Sequence, residues 1–170
     1  MALRVGVLTI SDKGSAGLRA DVSGQAIKDI VTAAFCEIAR YDIVPDETPL
    51  ISKRLQEWAD EGKIDVILTT GGTGLGPRDV TPEATRSVID KEVPGFAEIV
   101  RVKTFEKTPM SILSRAIAGV RKKCLIINMP GNPRAVREDL EIIMPAILHG
   151  VEIITGAYTE HPPEHSEKRL

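Results

Sequence analysis

The stretch Asp65-Val66-Ile67-Leu68-Thr69-Thr70-Gly71-Gly72-Thr73-Gly74 decides the fold. Its first half is a nearly continuous apolar and β-branched run, the pattern of a strand covered on both faces. Its second half opens residues 71–76, where four of six positions are glycine, so the chain turns sharply at the strand's carboxyl end. Thr81-Pro82 then supplies a helix cap and a proline at the first helical position. A buried strand, a tight turn and a helix in that order form an α/β unit.

The same alternation extends in both directions. Towards the N-terminus, residues 5–10 read as a buried first strand. Val22, Ala26, Ile27, Ile30, Val31 and Ala34 recur at helical spacing. Residues 39–44 read as a second strand ending at Pro45-Asp46, and residues 49–61 as a helix stopped by Gly62. Towards the C-terminus, the helix opened by Thr81-Pro82 is expected to reach Asp90. A helix over residues 96–105 follows, and Ile112, Leu113, Ala116, Ile117 and Val120 form a further helical stripe. Residues 124–129 give another strand, entering Pro130-Gly131-Asn132-Pro133 and a long apolar helix towards Gly156 that Pro145 should kink or divide. The pattern predicts a three-layer α/β fold: a mostly parallel sheet with helices on both faces. Residues 1–157 are expected to form one domain and residues 158–170 a mobile tail.

Length and composition fit that reading. A chain of 170 residues buries roughly two thirds of its unfolded surface and needs no disulfide or structural metal. A net charge of −2 argues against a nucleic-acid footprint. The dense basic run Arg121-Lys122-Lys123 is short and reads as a solvated turn. Cys36 and Cys124 are expected to be small buried side chains. No apolar run approaches the 18 or so residues of a membrane span, and residues 3–10 are too interrupted for a signal peptide, so the cytoplasm is the expected location. His161 and His165 are spaced like a metal pair, but Pro162-Pro163 prevents a regular helix between them.

In open parallel sheets, ligands bind beyond the carboxyl ends of the strands. That rule selects four loops: residues 11–21, 45–48, 71–81 and 130–132. The glycines of residues 71–76 allow successive amides to converge on an anion, although a plain strand-to-helix turn explains them as well. The loop has neither the lysine of a Walker A motif nor a GxGxxG pattern. Arg78 can hold a phosphate oxygen and Asp79 a magnesium ion, or the two can form a solvated pair or cap. Asp46 can meet a metal or a ribose hydroxyl, or serve the turn. Ser11-Asp12 can contact a ligand or cap a helix. Asn132 suits a helix cap within a rigid turn. Arg115, beside Ser114, can reach a phosphate or a surface carboxylate.

Taken together, Leu8-Thr9-Ile10-Ser11-Asp12, Pro45-Asp46-Glu47, Thr69-Thr70-Gly71-Gly72-Thr73-Gly74, Pro77-Arg78-Asp79-Val80-Thr81-Pro82-Glu83-Ala84-Thr85, Pro94-Gly95-Phe96, Ile112-Leu113-Ser114-Arg115 and Asn128-Met129-Pro130-Gly131-Asn132-Pro133 resemble the molybdopterin adenylyltransferase family. That family includes a bacterial enzyme and the equivalent domain of gephyrin and of its plant counterpart. The resemblance implies adjoining pterin and nucleotide pockets, a trimer, and other molybdenum cofactor biosynthesis proteins as partners. It implies AMP transfer from Mg2+-ATP to the terminal phosphate of molybdopterin, with release of pyrophosphate. The family's two prominent acidic positions fall on Asp46 and Asp79, the expected catalytic and magnesium-positioning pair. Ser11, Asp12, Thr70, Gly71, Gly72, Thr73, Gly74, Arg78, Ser114, Arg115, Pro130, Gly131 and Asn132 are then the expected substrate contacts. A molybdopterin carrier or scaffold without transferase activity is the alternative. The apolar last helix, with Leu140, Ile142, Ile143, Ala146, Ile147, Val151 and Ile154, suggests a subunit interface.

Overall fold

The computed structural model describes residues 2–157. Six strands form one sheet in the order β2-β1-β3-β6-β5-β4. The strands are β1 (Arg4–Ile10), β2 (Glu37–Val44), β3 (Val66–Thr70), β4 (Lys91–Glu92), β5 (Ala118–Arg121) and β6 (Cys124–Met129). The β2–β1, β1–β3 and β3–β6 pairs are parallel, while β5 joins β6 and β4 antiparallel. The mostly parallel sheet expected from the apolar runs is therefore present, with an antiparallel edge.

The helices are α1 (Asp12–Ser15), α2 (Val22–Ala33), α3 (Thr48–Asp60), α4 (Thr81–Arg86), α5 (Gly95–Phe105) and α6 (Pro133–Thr155), with a 3-10 turn at Pro109–Leu113. Strand side chains divide with period two between the sheet faces, as a pleat requires. Val5, Val7, Val66, Leu68, Leu125 and Ile127 pack with Ala26, Ile27 and Val31 of α2 and with Val136, Leu140, Ile143 and Ile147 of α6. Leu8, Ile10, Ile67 and Ile126 pack on the other face with Ile51, Leu55 and Trp58 of α3 and Ala84 of α4. These two apolar layers around the sheet are the three-layer fold.

Several expectations change. Residues 112–120 are not a helix. After the 3-10 turn the chain extends into β5, with residues 116–120 buried. Gly119 carried the missed signal, because glycine weakens a helix interior. In the strand, a Cβ at Gly119 would lie 2.8 Å from the Lys91 carbonyl oxygen, so close strand packing needs its absence. The helix α4 stops at Arg86, four residues before Asp90. Pro145 does not divide α6. Pro145 and Glu141 are both exposed, so water can serve the Glu141 carbonyl that lacks its helical donor. Cys124 is buried as expected, whereas Cys36 is only half-buried at the end of the α2–β2 turn. On α6, Leu140, Ile143, Ile147 and Val151 join the core, while Leu148 and Ile153 remain exposed. The expected tail, with His161 and His165, lies outside the described residues.

This topology positions the site. From β1 the chain crosses by α2 to β2 on one side, then returns by α3 to β3 on the other. The carboxyl ends of β1 and β3 therefore flank a point where strand order reverses, which opens a crevice.

Candidate active site

Four strand ends build the crevice. The glycine turn after β3 requires its glycines: Gly71 and Gly72 have φ of 99° and 66°. A Cβ on Gly71 would overlap the Ile10 carbonyl oxygen, and one on Gly72 would overlap Thr81 Oγ1. Thr81 donates through its hydroxyl to the Gly71 carbonyl at 2.9 Å and through its amide to the Gly72 carbonyl at 3.1 Å. The turn after β6 lies against it. Thr70 Oγ1 donates to the Pro130 carbonyl at 2.7 Å, and the ideal Cβ position on Gly131 is 3.4 Å from the Gly71 Cα. Asn132 Oδ1 caps α6 by accepting from the amides of Arg134 and Ala135 at 2.9 and 3.2 Å.

The ends of β1 and β2 are locked by a reciprocal pair. The Asp12 amide donates to Asp46 Oδ2 at 2.8 Å, and the Asp46 amide donates to Asp12 Oδ1 at 3.0 Å. Arg78 then grips Asp12 with two bonds, from Nε at 3.0 Å and Nη2 at 2.8 Å. That guanidinium holds the Asp12 carboxyl below the usual carboxylate range. Burial pushes the Asp46 carboxyl up, and the charges of Asp12 and Asp79 push it further, against the pull of Arg78. Asp79 Oδ2 accepts from the Gly76 amide at 2.8 Å. The Oδ1 atoms of Asp46 and Asp79 accept no hydrogen bond among the described residues.

Two cavities meet at the Gly71–Gly131 contact. One, of about 400 Å3, is lined by Thr9, Ser11, Arg19, Asp21, Ser23, Thr70, Gly71 and Gly131 among others. The other, of about 430 Å3, runs from Gly72, Thr73, Gly74 and Asp79 past Pro130, Gly131 and Asn132 to α5, the 3-10 turn and Asp139 of α6. Both volumes suit ligands of small-molecule size.

Comparison with known proteins accords with this geometry. The family model described as "Probable molybdopterin binding domain" matches residues 6–149. The chain belongs to that molybdopterin-binding domain family. A protein named molybdopterin adenylyltransferase from Helicobacter pylori is 44% identical over 93% of this chain and 91% of its own. One of the same name from Escherichia coli is 38% identical over 95% and 90%. The solved structure of the molybdopterin biosynthesis enzyme MoaB from Thermus thermophilus superimposes with a TM-score of 0.85 at 51% identity, covering 91% of this chain and 97% of that one.

Within this molybdopterin-binding domain, the expected site residues divide by what they touch. Ser11 caps α1, its Oγ accepting from the Gly14 amide at 3.0 Å, and also lines the smaller cavity. Arg115 belongs to neither a helix nor a simple surface pair. Its Nε donates to the Gly74 carbonyl at 2.8 Å and its Nη2 to the Asp79 carbonyl at 2.6 Å, while Glu83 pairs with Nη1. It ties the middle of the glycine loop to the Asp79 turn that follows and so acts as a positioning residue. Ser114 lines the larger cavity, its Oγ accepting from the Ala116 amide at 3.3 Å.

Sequence reasoning missed Asp21, Arg101 and Asp139, all of which line the cavities. Asp139 had a visible signal: it falls on the core-facing stripe of α6 between Val136 and Ile143, where a carboxylate breaks the apolar pattern. Arg101 and Asp21 carried no such mark. The basic run 121–123 forms the β5–β6 turn, where Arg121 and Lys122 pair with Asp60. Among the described residues no helix is long and apolar enough to cross a membrane.

Proposed function

We propose that this chain is a cytoplasmic molybdopterin adenylyltransferase acting as one unit over residues 1–157. In this reading, a terminal phosphate oxygen of molybdopterin attacks the α-phosphorus of ATP. A new P–O–P bond forms, and the bond to pyrophosphate breaks. The observation that carries the reading is the junction of two ligand-sized cavities at one glycine turn: Asp79 lines the larger cavity, and Asp46, which lines neither, stands against the same turn with its Oδ1 3.2 Å from the ideal Cβ position on Gly72. Two substrates that must meet end to end require adjoining chambers of this kind.

A phosphate monoester is already a nucleophilic anion near neutrality. The barrier lies in bringing two polyanions together and in stabilising the charge of the transition state. The Gly71 amide is committed to the Met129 carbonyl, so the amides of residues 72–74 supply the fixed dipoles, and Arg115 holds their loop in place. Asp46 and Asp79 each keep one carboxylate oxygen without a donor, which fits a magnesium ion completing its shell with phosphate oxygens. When bound, magnesium would neutralise phosphate charge. The Asp12–Arg78–Asp46 network supports the reading by fixing the orientation of Asp46.

The expected trimer is part of the proposal, with a different face from the one expected of α6. Ile99, Val102 and Phe105 of α5 and Met110, Ile112 and Leu113 of the 3-10 turn are all exposed large apolar residues. Ile99, Val102, Phe105 and Ile112 lie outside the lining of the larger cavity, while Met110 and Leu113 also line it. Light scattering should give three times the subunit mass, and a monomer at working concentration opposes this arrangement. Release of product to the next molybdenum cofactor biosynthesis protein follows from the same reading. The activity itself is tested by incubating the protein with molybdopterin, ATP and magnesium. Adenylylated pterin detected by mass supports the assignment, and retention of unmodified pterin supports a carrier instead.

A further inference from the structure

One carboxylate in the larger cavity has no part in the chemistry above. Asp139 is only 6% exposed. It forms no hydrogen bond and no ion pair among the described residues. Its neighbours on α6, Val136, Leu140 and Ile143, belong to the core. An unpartnered carboxylate among such residues is costly unless something supplies donors to it. The space beside it is the cavity of about 430 Å3, so the donors can come from a ligand.

The charges around the cavity narrow that ligand. Arg101 faces it from α5, Asp79 from the glycine loop, and Glu138 from α6 itself. The Arg101 Nη1 is committed to the carbonyls of Ser114 and Ala116, at 3.3 and 3.2 Å. Asp79 lies at the far, glycine-turn end; near Asp139, Glu138 is paired with Arg134 at 3.2 Å, so an anionic group entering this end meets a carboxylate that has no cation of its own. That carboxylate favours a neutral edge rich in N–H donors. Thr104, Thr108, Ser111 and Ser114 add hydroxyls along the same wall.

We propose that Asp139 reads the pyrimidine edge of the pterin, its two carboxylate oxygens accepting from the ring N–H and the adjacent exocyclic amino group. This inference rests on the proposed function and assigns the larger cavity to the pterin. An adenine edge offers one donor beside one acceptor, so it matches an ionised carboxylate at only one atom. The pterin edge offers two donors side by side. The phosphate end of the pterin then points back to the glycine turn and the neighbouring cavity. Burial and the neighbouring charge of Glu138 push the free Asp139 carboxyl up to about 7. Donors from the pterin favour its ionised form, so binding releases a proton and tightens as pH rises past neutrality.

The test is equilibrium binding of molybdopterin and, separately, of Mg2+-ATP to the full chain. Wild type, Asp139→Asn and Asp139→Ala are compared at pH 6 and pH 8. At pH 8 both variants should bind molybdopterin on the order of tenfold more weakly, with ATP affinity within about twofold of wild type. The ligand phosphate titrates over the same range in every protein, so the decisive readout is the ratio of wild type to variant, which should grow from pH 6 to pH 8. Folded variants with wild-type molybdopterin affinity would overturn the role of Asp139. So would a loss confined to ATP, or a ratio that does not change with pH. Wild-type protein that binds no molybdopterin overturns the functional reading itself, a result distinct from the other three.

Discussion

Asp21 and Asp139 are two carboxylates, each beside one of two adjoining cavities, and their surroundings are opposite. Burial works against the charge of Asp21. Hydrogen bonds from Thr9 at 2.6 Å, Gly24 at 2.8 Å, Tyr41 at 2.7 Å and Ser23 at 3.3 Å outweigh it and hold the carboxyl below the usual range. Asp139 has no such donors, and burial raises it to about 7. The first carboxylate is satisfied by its own chain, where it caps α2 and ties that helix to β1 and β2. The second is left open to the cavity. A residue that lines a cavity is therefore informative for ligand binding when its own fold leaves it unsatisfied.

The comparison breaks most completely at the wall the two cavities share. Gly71→Ala places a Cβ on the Ile10 carbonyl oxygen, at a φ that alanine resists. Both cavities should deform. AMP transfer should fall at least about a hundredfold, with ~3 kcal/mol lost in urea unfolding. Next in size, Asp21→Ala removes a helix cap and leaves the Thr9 and Tyr41 hydroxyls without their acceptor. It should cost about 2 kcal/mol in the same assay.

The pH dependence of the two sites has opposite sign. Asp21 has a depressed folded pKa. Its contribution is present above the ordinary aspartate range and disappears as pH falls through the folded value. Asp139 has a raised folded pKa, so the native state holds a proton that the unfolded state has released. Stability then falls as pH rises from about 4 to about 7. Asp139→Asn should remove that slope and leave the ligand-free protein more stable than wild type at pH 8, by on the order of 2 kcal/mol, shrinking towards zero near pH 4. Parallel pH profiles for wild type and variant would contradict the contrast. The smallest effect is expected from Tyr41→Phe, about 1 kcal/mol, because three donors to Asp21 remain.

The same contrast explains what the sequence disclosed. Strand ends are legible because continuous apolar runs stop at glycine, proline and aspartate. Asp46, Asp79 and the turns at Gly71 and Pro130 therefore stood out and do meet at one rim. Residues 112–120 misled because their apolar spacing suits a helix, while β5 is selected by pairing with β6 and β4. Sheet pairing is a tertiary choice that local periodicity does not record. Arg115 was found as a residue but not in its role, since the Gly74 and Asp79 carbonyls it grips are brought to it only by the fold. Asp139 was readable as a polar break in an apolar stripe, yet only the packed structure distinguishes a satisfied core carboxylate from an open one.

The most direct trial of the catalytic assignment is the rate of AMP transfer by Asp79→Asn at saturating molybdopterin and Mg2+-ATP. The substitution removes charge with little change in volume, and the amide oxygen can still accept from Gly76. A folded protein with turnover reduced on the order of a thousandfold is the expected result. Wild-type turnover by that folded variant would contradict a catalytic role for the carboxylate at this junction.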